Sequence, residues 1–144
     1  MRRLALLLLA APILAAGCSE PGNRSHLAQT SWRFERIDGQ QPSSPGAQMT
    51  FKNGKIGVQV GCNHLGGPWR VDQNRLVAGP LAQTEIDCTE PAWNQERAVG
   101  ALLVATPRLS LEGDRMTLQS SGHTAELIRV ETGKSAGKGS SKGG

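Results

Sequence analysis

Cys62 and Cys88, with His64 two places after the first, are the residues of this chain best suited to chemistry. A thiolate beside an imidazole is the pairing of a cysteine nucleophile and its base. The same cysteines with His64 and His123 offer soft and borderline ligands for a metal ion. Glu85 and Asp87, two residues apart just before Cys88, would share one face of a strand, where paired carboxylates bind a cation or act as acid and base. Glu96 adds a carboxylate on a helical stretch. Each of these readings has a plainer rival: a solvated strand face, an ordinary loop histidine, a surface glutamate.

The third cysteine says where the first two work. Arg2 and Arg3 precede an apolar run from Leu4 to Ala16, the length of a signal-peptide core and too short to span a bilayer as a helix. Leu14-Ala15-Ala16-Gly17-Cys18 then resembles a bacterial lipobox, whose cysteine is acylated and becomes the first residue of the mature chain. Cys18 is therefore expected to be a lipid anchor, with residues 1–17 removed and residues 18–26 a polar, flexible tether. Ser19 stands where an Asp would favour retention in the inner membrane, so the expected address is the periplasmic side of an outer membrane in a cell with two. In such an oxidising compartment Cys62 and Cys88 are expected to pair. Their separation of 26 gives roughly 3 to 4 kcal/mol in the chain-entropy view. That pairing would remove the thiolate and most of the metal set, and no catalytic residue, metal or cofactor is assigned from the sequence.

Charge argues in the same direction. The 144 residues carry a formal +4, but Arg2, Arg3, Arg24, Lys134, Lys138 and Lys142 lie in the leader, tether and tail. Ten basic and eleven acidic residues remain in the body, without the basic cluster that nucleic-acid binding requires. From Gly133 to Gly144 only Gly, Ser, Ala and Lys occur, a composition expected to stay disordered because it has no apolar surface to bury.

The elements that must position these residues are mostly strands. Met49 and Phe51, then Ile56, Val58 and Val60, alternate on either side of Asn53-Gly54, the strongest short hairpin signal. Leu109 and Leu111 alternate before Gly113-Asp114, Met116 and Leu118 after it, and Ala125 to Val130 follows Ser121-Gly122 as a further strand. Trp32 and Phe34 alternate in an opening strand, while Trp69 to Val71 and Leu76 to Val77 flank Asp72-Gln73-Asn74. One helix is predicted at about residues 90–105, with Thr89 as N-cap, Pro91 at its first position and Pro107 just beyond its end. Val99, Leu102 and Leu103, with Ala92 or Trp93, would face the sheet. Gly61 and Asn63 suit a turn around Cys62 because both tolerate positive φ. The expected fold is α+β: a curved antiparallel sheet or partly closed barrel with one principal helix, in a single domain over residues 27–132.

The ordered set Ser31-Trp32, Asn53-Gly54, Gly61-Cys62-Asn63, Thr84 to Cys88 and Gln95-Glu96 before Leu102-Leu103 resembles the META domain of HslJ-type bacterial heat-shock lipoproteins. The resemblance covers about residues 27–130. It implies a compact β-rich domain with a helix, often lipid-anchored and linked to envelope stress, and no settled enzymatic activity. The expectation is a monomeric, non-enzymatic binding or stress-response module, partnered with the membrane through Cys18 and with an envelope protein or wall component. The alternatives are an envelope hydrolase or redox enzyme using Cys62 or the Glu85/Asp87 strand, a metal binder at Cys62, His64 and Cys88, or a small-ligand binder in the mouth of the sheet.

Overall fold

The computed structural model describes residues 24–120 and 122–131. The leader, Cys18 and the tail from Gly133 lie outside them, as does Ser121. A short helix α1 (Arg24–Leu27) leads into β1 (Thr30–Ile37), β2 (Gln48–Lys52), β3 (Lys55–Val60), β4 (Asn63–Asp72), β5 (Arg75–Ala78) and the two-residue β6 (Ala82–Gln83). The helix α2 (Ala92–Val104) and the meander β7 (Arg108–Glu112), β8 (Arg115–Ser120) and β9 (His123–Val130) complete the domain. The helix α1 thus takes in residues 24–26, the last three of the segment read from the sequence as tether.

All the pairings are antiparallel, and the order β3-β2-β1-β9-β8-β7-β5-β4 closes on itself through β3–β4. The sheet is therefore a closed eight-stranded barrel, with β6 attached to the side of β4. Closure removes the free edges that an open sheet would present. The hairpin turns follow from their residues: Asn53-Gly54 and Gln73-Asn74 both hold positive φ at two positions, and Gly113 holds it at the first position of its turn. The weakest seam is β5–β7, where Arg75 and Arg108 pair and bonds from Leu76 N to Pro107 O and Leu109 N to Asn74 O complete the join.

Inward positions fill the barrel. Trp32, Phe34, Met49, Phe51, Ile56, Val58, Trp69, Leu76, Met116, Leu118 and Leu127 are all buried there, with Leu27 added from α1. Phe51 and Trp69 meet edge to face at 4.8 Å. Trp32 is fully enclosed, donates from Nε1 to Thr30 Oγ1 at 2.7 Å and carries Arg129 over its ring at 5.0 Å. An interior packed in this way is a core, not a ligand cavity.

The helix α2 touches β9, β5, β3, β1 and β8, and so lies across one mouth of the barrel. Its buried face has helical spacing, Gln95, Glu96, Val99, Leu102 and Leu103. The apolar half is the one expected from the sequence. Its first turn differs: Trp93 is exposed, and the buried positions there are polar. Thr89 is not a side-chain cap either. Pro91 occupies the cap position in αR conformation with no side-chain cap bond, and only the Thr89 carbonyl contributes, accepting from Trp93 N at 3.1 Å. The carboxyl group of Glu96 is therefore brought inside, beside the loop that carries Cys88.

Candidate functional site

Two regions gather the polar residues picked out above, and they lie on opposite faces of β4. On the inner face, the chain leaves β3 through Gly61, whose φ of +70° is one that L side chains rarely adopt. A Cβ at Gly61 would stand 2.9 Å from the Ala92 carbonyl and 3.1 Å from Glu96 Oε2, so the turn can pass under the start of α2 only as glycine. Cys62 follows, bonded to Cys88 with their Cα atoms 6.0 Å apart. Asn63 opens β4, 4% exposed and at ordinary φ; the positive φ expected there from its type is absent.

Asn63 matters through its side chain. Its Nδ2 donates to Glu96 Oε1 at 2.8 Å and to the Ile86 carbonyl at 3.0 Å, while its Oδ1 accepts from Ile86 N at 2.8 Å and Thr84 Oγ1 at 2.9 Å. Its amide thus behaves as a short extra strand, holding the extended run 84–88 that has no sheet partner there. Glu96, 4% exposed, also accepts from Asn63 N at 3.1 Å and from Gln83 Nε2 at 2.9 Å, and its Oε2 faces Cys88 Sγ at 3.9 Å. Neutral donors surround this carboxylate. Among the described residues no ion pair reaches it.

The cluster therefore unites Gly61, Cys62 and Asn63 with Thr84, Cys88 and Glu96, more than twenty positions further along the chain. Trp32 stays in the core and Asn53-Gly54 in its turn. Glu85 and Asp87 are exposed in a segment outside any strand, so the acidic strand face is corrected to a solvated loop. His64 points to the outer face of β4. His123 lies on β9, where Nδ1 meets Asp38 Oδ2 at 2.8 Å. The ligand set Cys62, His64, Cys88 and His123 is thus not assembled; the group that does converge is Cys62, Cys88 and Glu96, within 4.8 Å of one another. Burial tends to raise the carboxyl of Asp38, but the bond to His123, the Thr124 N–H and the charge of His123 together hold it below its ordinary 3.8.

The outer face presents the opposite picture. Strand register aligns Gln48, Gln59 and His64 in one row and Thr50, Gly57 and Gly66 in the next. Ala82 and Thr84 extend the rows beyond β4: Ala82 pairs with Gly66, and Thr84 N donates to the His64 carbonyl at 3.1 Å. The row of small residues forms the floor of a trench of about 470 Å³, walled by Gln48, Gln59, His64, Gln83 and Thr84. It crosses three strand spacings, about 14 Å. Gly66 has no positive φ, and a Cβ there would meet only the Ile56 carbonyl at 3.5 Å, an ordinary contact. At neighbouring Gly67 a Cβ would stand 2.3 Å from the Pro80 carbonyl. The fold requires glycine at 67 and has room for a Cβ at 66. No signal in the sequence separated the two.

A second recess lies between α2 and the start of β9, with Asp38, His123, Trp93 and Arg97 on its rim. Its charges are already engaged: Asp38 with His123, and Arg97 4.6 Å over the ring of Trp93.

Two comparisons agree on what this architecture is. A family model for the META domain matches residues 25–132. A structure solved by NMR superposes with a TM-score of 0.65 at 20% identity, covering 73% of this chain and 92% of that one. A second NMR structure, of a protein from Burkholderia xenovorans, gives 0.61 at 20% identity over 90% of this chain and 97% of its own. Among curated proteins there was no match. The barrel, its capping helix and the matched span together place the chain in the META-domain family.

Proposed function

We propose that this protein is a non-enzymatic binding module of the cell envelope, held to the membrane by a lipid on Cys18 and engaging an uncharged wall polysaccharide in the trench over Gly57 and Gly66. The observation that carries the reading is the floor of that trench. Glycine inside a strand weakens it, and Gly66, where neither φ nor crowding demands it, suits close approach of a ligand; at Gly57 a Cβ would stand 3.0 Å from Thr50 Oγ1, so that glycine also serves the packing of its strand pair. The walls supply the amides of Gln48 and Gln59 and the imidazole of His64, groups that both donate and accept, while Gln83 and Thr84 are bonded to Glu96 and Asn63; this matches a chain of hydroxyls and amides carrying no net charge. The packed barrel interior supports an external site over a lumen. The disulfide supports a structural reading of the cysteines over a nucleophilic one.

The test is co-sedimentation with purified wall sacculi, together with fractionation of cells expressing Cys18→Ala. Binding that saturates, competed by soluble wall fragments, is the expected outcome, and Cys18→Ala should leave the membrane fraction. A protein that stays in the supernatant at all sacculus concentrations overturns the polysaccharide reading. Persistent membrane association of Cys18→Ala overturns the anchor.

A further inference from the structure

We infer that Cys62, Cys88 and Glu96 form a redox-gated site for a zinc-class metal ion, closed while the cysteines are bonded and opened by reduction. Three features of the cluster point there. The first is spacing. Zinc bonds to sulfur at about 2.3 Å and to carboxylate oxygen at about 2.0 to 2.2 Å, so tetrahedral ligand atoms lie roughly 3.5 to 3.8 Å apart. Cys88 Sγ already stands 3.9 Å from Glu96 Oε2, and the cysteine Cα atoms, 6.0 Å apart, leave the sulfurs room to separate by rotation of their side chains.

The second is the state of the carboxylate. Glu96 Oε1 accepts two N–H bonds, from Asn63 Nδ2 and Gln83 Nε2, whereas Oε2 accepts one, from Asn63 N, and otherwise faces the sulfur. The oxygen with fewer donors is thus the one aimed at Cys88, where an entering cation would meet it. The third is the surrounding support. Asn63 Nδ2 also lies 3.9 Å from Cys62 Sγ, so the side chain that orients the carboxylate also reaches the first sulfur. Outer contacts of this kind orient ligands and stabilise thiolate.

The chemistry balances with a dithiol reductant. The dithiol gives two electrons and two protons to the Cys62–Cys88 bond and becomes a disulfide, leaving two thiols. The entering ion displaces both thiol protons and binds two thiolates and the Glu96 carboxylate. Soft thiolates favour zinc or copper(I) over calcium or magnesium. Three protein ligands leave a fourth position open, and both cysteines are only half-buried, so the ion can exchange.

The experiment uses the full chain with Cys18→Ser, so that only the two thiols of the site remain. Zinc affinity is measured by competition with a chromogenic chelator, before and after reduction with a phosphine, and cobalt reports thiolate ligation by its charge-transfer band. The expected results are one zinc per chain in the reduced form alone, release of about two protons near neutral pH, and affinity at least about tenfold weaker in Glu96→Gln. Zinc should also raise the melting temperature of the reduced parent and not of the oxidised one, which needs no variant to fold. Equal zinc binding by oxidised and reduced protein, absence of zinc-dependent stabilisation after reduction, or undiminished affinity in a folded Glu96→Gln overturns the inference.

Discussion

The two faces of β4 use their polar groups in opposite ways. Inside, Asn63 and Glu96 use their donors and acceptors on one another and on the loop from Thr84 to Cys88. Outside, three residues further along, the row through Gly57 and Gly66 runs beside the amides of Gln48 and Gln59 and the imidazole of His64. The first arrangement ties the fold, since each buried polar group left unpaired costs about 1 to 3 kcal/mol. At Gly66 the second contributes nothing to the fold that alanine would not, whereas at Gly57 a Cβ would crowd Thr50 Oγ1 at 3.0 Å. In a domain of this size, residues bonded to one another hold the chain, and a residue that could be improved for stability serves something outside it.

The comparison breaks most visibly at Asn63. Asn63→Ala deletes the side-chain bonds to Glu96, Ile86 and Thr84 and leaves a buried carboxylate short of donors, a loss of about 3 kcal/mol or more in chemical denaturation. A loss under about 1 kcal/mol would mean that water replaces the cluster freely and that it ties nothing. Next is the pair of adjacent glycines. Gly67→Ala should cost about 2 kcal/mol by forcing the Pro80 carbonyl aside, while Gly66→Val should gain up to about 1 kcal/mol from better strand propensity. Thermal melts of both variants decide it. Equal losses would make Gly66 as structural as its neighbour and remove the argument for the trench.

The smallest effect is electrostatic. Asp38 is exposed and its carboxyl is held below the ordinary value, so its ionised form is favoured in the folded state. Its contribution is present above the unfolded pKa and is lost as pH falls through the folded one. An exposed pair with His123 is worth no more than about 1 kcal/mol. Asp38→Asn should therefore lower stability slightly near neutral pH and converge with the parent below about pH 3. A constant difference down to that pH would assign the effect to geometry in place of charge.

Much of the fold was legible because strand period and turn chemistry are local. Asn53-Gly54 and Gly113-Asp114 fix their hairpins from the residues alone, and Val99, Leu102 and Leu103 mark the apolar half of α2. Barrel closure was less legible, since it depends on the β3–β4 ladder, where the Gly61-Cys62 turn leads at once into a ten-residue strand that includes two glycines and a proline. The cysteine pair was readable from compartment chemistry. Glu96 was not: a glutamate on an amphipathic helix looks like surface, and its burial depends on Asn63, 33 residues away, whose amide replaces a missing strand. Glu85 and Asp87 were misplaced for a related reason. Their spacing has a strand period, but the run 84–88 is held by one side chain and not by a ladder. The trench was invisible because it is a register property, made only when Gly57, Gly66 and Ala82 come abreast.

The most direct test compares Gly66→Val with the parent in sacculus binding, after melting has shown that the variant is at least as stable. The expected result is loss of binding by about tenfold or more, the 1.4 kcal/mol equivalent of one well-placed contact refused, in a protein whose fold is unharmed. Undiminished binding by a stable Gly66→Val would contradict the claim that this face, left bare at Gly66 where the fold has room for a Cβ, is where the domain meets its ligand.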